Sequence, residues 1–199
     1  MIHETYTLRT GETITIPIAQ TYKDALVLIK SDMYRVGVGR VLSFMRNPLF
    51  WLRMASVTKS SLGGVILHKL IRRKYIAVSK KYNIQMPPET KIGYGLYIGH
   101  GICMVVNEGT VIGNNVNLSQ FLNIGTNHNT PAIIGDNVYI GPSVCVVENV
   151  HIGSNTTIGA GSVVTKDIPR NATAAGVPAK VLNYDNPARY ISQKWETEF

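Results

Sequence analysis

The feature that most constrains this chain is a repeat of six. From Ile92 onward an aliphatic residue followed by a small one recurs. It runs through Ile92-Gly93 and Ile98-Gly99, then Ile112-Gly113, Leu118-Ser119 and Ile124-Gly125. A third run holds Ile134-Gly135, Ile140-Gly141, Val146-Val147, Ile152-Gly153 and Ile158-Gly159, ending near Val164-Thr165. A period of six suits neither a helix nor a plain strand. It suits a solenoid in which three short parallel strands make one triangular coil, and each coil covers the open edge of the next. The aliphatic residue points into the prism and the small one lets the chain turn the corner. Four positions after an aliphatic residue stands a second inward candidate: Ile102, Val116, Leu122, Val138, Val144 or Val150. Asn and Asp at the corners, as in Gly113-Asn114-Asn115 and Gly135-Asp136-Asn137, tolerate turn conformations that other residues resist.

The register slips twice. Two extra residues fall between Met104 and Ile112, and four between Ile124 and Ile134. The second slip reads as an extruded loop, Thr126-Asn127-His128-Asn129-Thr130-Pro131, where a repeat protein carries its chemistry.

The chain before the repeat has another period. Tyr22 to Arg35 has helical spacing, broken by Gly37 and Gly39. Val41 to Met54 is a second apolar-basic segment with Asn47-Pro48 as a kink or stop. Gly63-Gly64 precedes a third helix, Val65 to Tyr82, whose polar face carries Lys69, Arg72, Arg73, Lys74, Lys80 and Lys81. Pro87-Pro88 ends helical structure. The expected organisation is a mostly helical region over 1–86, a β-helix over 87–183, and a tail over 184–199 with a small helix from Asn186 to Trp195.

A net charge of +8 favours acidic partners: a nucleotide cofactor, a phospholipid surface or an anionic glycan. No P-loop or dinucleotide fingerprint is present, and nucleic acid is not an expected partner. Cys103 and Cys145 form no zinc-ligand set and read as buried thiols of a reducing compartment. Met1 to Gln20 is polar and β-rich without a signal-peptide pattern. Val41 to Val57, the most apolar stretch, is too short and too charged to span a bilayer. The chain therefore reads as cytoplasmic, with the basic helix a reason to place it at the inner face of a membrane.

The repeats and the segment Ile158-Gly-Ala-Gly-Ser-Val-Val-Thr-Lys-Asp-Ile-Pro, followed by Ala-Ala-Gly-Val-Pro-Ala-Lys180, resemble the hexapeptide-repeat acetyltransferases. Ile92 to Val181 looks most like serine acetyltransferase and its relatives in polysaccharide-synthesis loci. Leu96-Tyr-Ile-Gly-His-Gly-Ile-Cys-Met-Val-Val-Asn107 and Ser31-Asp-Met-Tyr-Arg35 point to that branch. The resemblance implies a mainly β chain: a left-handed parallel β-helix with an N-terminal α-helical region. It also implies a homotrimer, acetyl-CoA as cosubstrate in a groove between neighbouring prisms, no metal, and a histidine as general base.

Acetyl transfer to a hydroxyl needs a base that titrates near working pH. Two histidines qualify. His100 takes the position that is the catalytic base in serine acetyltransferases. His128 lies in the extruded loop, where sugar and antibiotic acetyltransferases of this fold keep theirs. His100 is the favoured base, with His128 helping to bind the acceptor; the reverse assignment stays open. His151, His68 and His3 read as bland surface residues. The resemblance puts Gly141 and Pro142 on the pantetheine track, Ala160 where a larger side chain would block the thioester arm, and Thr165, Lys166 and Lys180 near the pyrophosphate.

The sequence departs from the serine enzymes at one telling position. They carry an Asp fifteen residues before the base; counting back from His100 gives Gln85, which cannot stabilise imidazolium as a carboxylate does. Glu108 matches a Glu of those enzymes and is a candidate to line the acceptor site. Their serine-binding helical domain is reduced here, and the end, Trp195 to Phe199, lacks their usual terminal Ile. These differences favour a sugar hydroxyl of a surface polysaccharide or its lipid-linked precursor as acceptor, with peripheral membrane association. L-serine is the alternative acceptor. A non-catalytic scaffold, or a metal enzyme needing His100, His128 and His151 to converge, is the third reading.

Overall fold

The computed structural model describes residues 1–57, 64–128, 130–147 and 149–196. Gly63, Asn129 and the last three residues, named above, lie outside that set. The chain opens on an antiparallel hairpin, β1 (Ile2–Thr7) and β2 (Thr13–Ile18). Helices α1 (Tyr22–Val36), α2 (Val41–Phe44), α3 (Pro48–Ala55) and α4 (Gly64–Lys81) follow. Their ends have local causes. Thr21 accepts a hydrogen bond from the Asp24 N–H while Asp24 accepts from the Thr21 N–H, a reciprocal cap on α1. Gly37 ends α1 in the left-handed region, at φ 72°. Asn47 caps α3 by accepting from the Leu49 N–H, and Pro48 takes the first helical position. Asn47-Pro48 is therefore a stop and a restart, and the second apolar segment becomes two helices.

From Ile84 the chain winds as a left-handed parallel β-helix with three faces. One face stacks β3 (Ile84–Gln85), β6 (Met104–Val106), β9 (Asn123–Ile124), β12 (Cys145–Val146) and β15 (Val163–Val164). A second stacks β4 (Lys91–Ile92), β7 (Val111–Ile112), β10 (Ile133–Ile134) and β13 (His151–Ile152), extended by a bridge to Ile168. The third stacks β5 (Tyr97–Gly99), β8 (Asn117–Ser119), β11 (Tyr139–Ile140), β14 (Thr157–Ile158) and β16 (Thr173–Gly176), with β17 (Ala179–Asn183) returning antiparallel. Ile112, Leu118, Ile124, Ile134, Ile140, Ile152 and Ile158 are fully buried inside, each worth about 1.5–3 kcal/mol of apolar burial. The glycines after them are small because coils approach closely: a Cβ on Gly113 would lie 2.5 Å from the Gly135 carbonyl oxygen. Corner Asn residues do what the sequence suggests. Asn115, Asn137, Asn155 and Asn171 all take φ between 54° and 63°. Asn137 donates to Asn155, and Asn155 to Asn171, at 3.0 Å each.

The first register slip is not where the sequence spacing puts it. Val106 pairs with Ile124, and Ile112 follows Val106 by the regular six. The two extra residues lie in the preceding corner, between Gly99, which pairs with Ser119, and Cys103. This displaces Ile102, read above as inward. It is 42% exposed, and Met104 fills the prism in its place. The other five second-position residues, Val116, Leu122, Val138, Val144 and Val150, are buried. The second slip falls between β9 and β10 as expected.

Two faces are covered by the chain's own ends. The hairpin lies over the β4–β13 face: Leu8, Ile14, Ile16 and Ile18 pack with Val111 and Ile133, and Arg9 reaches His151. The tail lies over the β5–β16 face, with Tyr190 against Tyr139 (ring centroids 4.7 Å apart) and Trp195 exchanging hydrogen bonds with Asn115. Here the expected helix from Asn186 to Trp195 is absent. Pro187 and the left-handed Ala188 (φ 54°) disfavour it, and the backbone is spent on the prism and on α1: the Ala188 N–H donates to the Asn155 carbonyl, and Arg35 of α1 donates to the Gln193 carbonyl. The β3–β15 face is left open. Its outward residues Gln85, Val105, Asn123 and Cys145 are exposed. Cys145 is thus no buried thiol, because it stands one position before the inward Val146; Cys103, at a corner with φ 53°, is half-buried.

Ser31-Asp32 turns out to staple α1 to the first coil. Ser31 accepts from the Gly95 N–H and Asp32 from the Leu96 N–H. Asp32 is fully buried and pairs with Arg53 at 2.8 Å; Arg53 also donates to the Ile92 and Gly93 carbonyls. The motif that suggested a family branch is a docking device between the helices and the prism.

Candidate active site

The two edges that flank the open face carry most of the candidate residues. His100 stands on the edge between the β5 face and the open face. It is part of the two-residue bulge, at φ 50°, and exposed. Down the same edge each coil contributes one corner. Ile98, Leu118, Ile140 and Ile158 are in register, so Gln120, Pro142 and Ala160 follow one another. Three strand spacings separate the His100 coil from the Ala160 coil, about 14 Å. Ala160 is exposed, and a Cβ on its neighbour Gly161 would meet no atom within 4 Å. The edge ends in a shelf of small residues with open space beside it. Gly141 is buried, and a side chain there would come within 2.8 Å of the Ala160 nitrogen. Its glycine therefore answers first to coil packing, while Pro142 is half-buried beside it.

The second edge lies between the open face and the β4 face. It carries Glu108, His128, Thr165 and Lys166, all exposed, on successive coils apart from the third. The loop holding His128 returns through Pro131, whose ring sits against Gly109 next to Glu108. Gln85 is exposed on the open face between the edges, paired in register with Val105. Lys180 is exposed on β17, opposite Ala175 at the far end of the β5 face. A face one hexapeptide wide spans up to about 20 Å at strand rise. Within one chain His100 and Ala160 share an edge, whereas His128, Thr165 and Lys166 stand a face-width away.

Sequence reasoning missed two features here. Phe121 is exposed on the His100 edge in the left-handed region, at φ 60°, aligned with Cys103, Ser143 and Gly161. An aromatic residue at a position where another coil uses glycine was the available signal. His151 is the other: read as surface, it is buried because the hairpin closes over it. Its Nδ1 accepts from the Arg9 N–H at 2.8 Å, and the Arg9 guanidinium sits 3.1 Å from Nε2. Burial and that cation lower its pKa, against the opposing pull of Asp167. Asp167, beside Lys166, pairs with Arg9 at 2.9 Å; burial would raise its carboxyl pKa, but Arg9 and the His151 N–H outweigh that and lower it. Among the described residues no group of three or more His, Cys, Asp or Glu is placed to hold a metal ion. His100, His128 and His151 lie on two different edges and a covered face.

Fold and edge geometry define a class, the hexapeptide-repeat β-solenoids, and residues 131–166 match the family model described as bacterial transferase hexapeptide (six repeats). Within that class the chain resembles the serine acetyltransferases. It is 39% identical over 127 residues to serine acetyltransferase 3, mitochondrial, of Arabidopsis thaliana, covering 61% of this chain and 32% of that one. The chain thus spans about a third of that relative's length. The crystal structure of serine acetyltransferase from Brucella abortus strain S19 has the same fold, with TM-score 0.65 at 24% identity over 83% of this chain and 71% of that chain. A serine acetyltransferase solved in complex with CoA aligns with TM-score 0.61 at 27% identity over 79% of this chain and 67% of that one.

Proposed function

We propose that this chain transfers the acetyl group of acetyl-CoA to the hydroxyl of L-serine, and that it works as a trimer. The observation that carries the reading is the single edge with His100 on a bulge at one end and the Ala160–Gly161 shelf at the other. In this reading His100 takes the acceptor hydroxyl proton, the oxygen attacks the thioester carbonyl, and CoA leaves as its thiolate. Acetyl-CoA lies along the edge by Pro142 and Ala160. A second copy covers the open face and brings its own Glu108 and His128 toward the first copy's His100, and its Thr165 and Lys166 toward the Ala160 shelf. Lys166 and Lys180 are then point charges for the pyrophosphate. The relatives named above are serine acetyltransferases, and they favour serine over the polysaccharide sugar that the sequence alone puts first. No helix among the described residues is long and apolar enough to cross a membrane.

One observation favours the sugar reading: Gln85, where the serine enzymes carry a carboxylate, is an uncharged, exposed side chain on the open face. CoA release measured with L-serine, simple hexoses, amino sugars and oligosaccharide precursors separates the two. Turnover with serine well above the rest is the expected result. Turnover with a sugar alone installs the second reading, and no CoA release with any acceptor removes the acetyl-transfer reading.

A further inference from the structure

Helix α4 breaks two habits of surface helices. Such a helix normally turns its aliphatic residues inward, yet α4 buries only Ile71, Tyr75 and Ser79. Val65, Ile66, Leu67, Leu70 and Ile76 are exposed, Ile66 at 74% and Leu70 at 55%. Surface helices also mix charges, which pair at four-residue spacing. α4 holds six of the chain's twenty Lys and Arg and none of its twelve Asp and Glu. Arg72 pairs with Glu89 at 2.5 Å, and Lys74 and Lys81 lie over the rings of Trp51 and Tyr82. Lys69, Arg73 and Lys80 add exposed charge among the aliphatic side chains.

We propose that α4 docks on an anionic phospholipid bilayer surface. Ile66, Leu67 and Leu70 enter the interface while the neighbouring cations meet the headgroup phosphates. Charge complementarity chooses this occupant. A second copy seated through α4 would set Lys69, Arg73 and Lys80 against the same three cations. A nucleic acid would satisfy the cations but leave the aliphatic residues in water. The length of α4, with its six cations, makes the attachment peripheral. α4 leads directly into β3, so the prism stands on the membrane by its first coil, the one that carries His100. This inference is independent of acetyl transfer, since binding is read without turnover.

The test is co-sedimentation of the full chain with phosphatidylcholine vesicles, with and without phosphatidylserine. The chain should pellet with the anionic vesicles only, and release as salt shortens the Debye length below about 10 Å. Lys69→Gln/Arg73→Gln/Lys80→Gln should weaken partitioning by about 100-fold, since each cation near the surface is worth roughly fivefold. Ile66→Ser/Leu70→Ser should weaken it at unchanged charge. All five side chains lie on the outside of α4, so circular dichroism and Tm should match the parent. Equal partitioning of the parent and the triple variant overturns the proposal. So does tight binding to an RNA homopolymer that Ile66→Ser/Leu70→Ser leaves intact, or disulfide-linked dimers of Ile66→Cys in a Cys103→Ser/Cys145→Ser background formed in the absence of vesicles.

Discussion

Asp32→Asn is the substitution that probes how the helices are fastened to the prism. Asp32 is fully buried and Arg53 is 3% exposed. The carboxylate accepts two bonds from Arg53, at 2.8 and 3.0 Å, and one from the Leu96 N–H at 2.8 Å. Asparagine keeps the shape, removes the charge and turns one of the two acceptor oxygens into a donor, so the buried guanidinium loses its counter-charge and one oxygen must serve Arg53 and the Leu96 N–H. Breaking a buried pair from one side costs about 3–5 kcal/mol. For a chain of this size that lowers Tm by roughly 6–20 °C. Replacing both partners with apolar residues, Asp32→Leu/Arg53→Met, should cost less than the sum of the two single changes, because no charge is stranded. Urea unfolding read by far-UV circular dichroism, with Trp51 of α3 as a second probe, measures both. A loss under about 1 kcal/mol for Asp32→Asn, or strict additivity, would refute the staple.

Other consequences follow from the corners and from the hairpin. Gly113→Ala should destabilise by about 1–3 kcal/mol in the same unfolding assay, because its Cβ would meet the backbone of the next coil. Asn137→Gly should be tolerated better than Asn137→Ala, since glycine accepts φ 56° without strain. His151 has a folded pKa below its unfolded value of about 6.5, so the unfolded chain binds the proton more readily. Its contribution to stability is full above that unfolded value and is lost as pH falls through the folded pKa; His151→Gln should flatten the stability–pH curve in that window. Ala160→Trp should abolish the rise in Tm that acetyl-CoA gives the parent by mass action while leaving oligomer size unchanged; undiminished protection would place the thioester arm elsewhere.

The solenoid was legible because a core residue every sixth position is a constraint that only a three-sided coil meets. The faces inside the prism therefore follow from Ile112, Ile134 and their repeats. Legibility failed where other parts of the chain decide the outcome. Position parity says His151 faces outward, and it does, but the hairpin, distant in sequence, covers it. Cys145 looked like a core thiol by composition, although parity puts it outside. The tail had helix-forming residues, yet its backbone groups found partners on Asn115 and Asn155. The displaced bulge at His100 escaped because Met104 and Val106 both suit the inward position, and spacing alone does not choose between them. The division of the candidate site residues between two edges was not legible in the sequence, because it depends on which corner each coil reaches.

Mixed assemblies test the shared site most directly. Assayed with acceptor well below its KM, both variants should be severely impaired alone: His100→Ala by roughly two to four orders of magnitude in turnover, and His128→Ala through a raised KM for the acceptor. Unfolded together in equal amounts and refolded, the two variants combine at random around a closed symmetric ring. A site built from one chain's His100 and its neighbour's His128 is then intact about a quarter of the time by simple counting. Recovery of about a quarter of the parent CoA-release rate is the predicted result. A mixture no more active than its two components would contradict the account, because it would place both histidines in a site made by one chain.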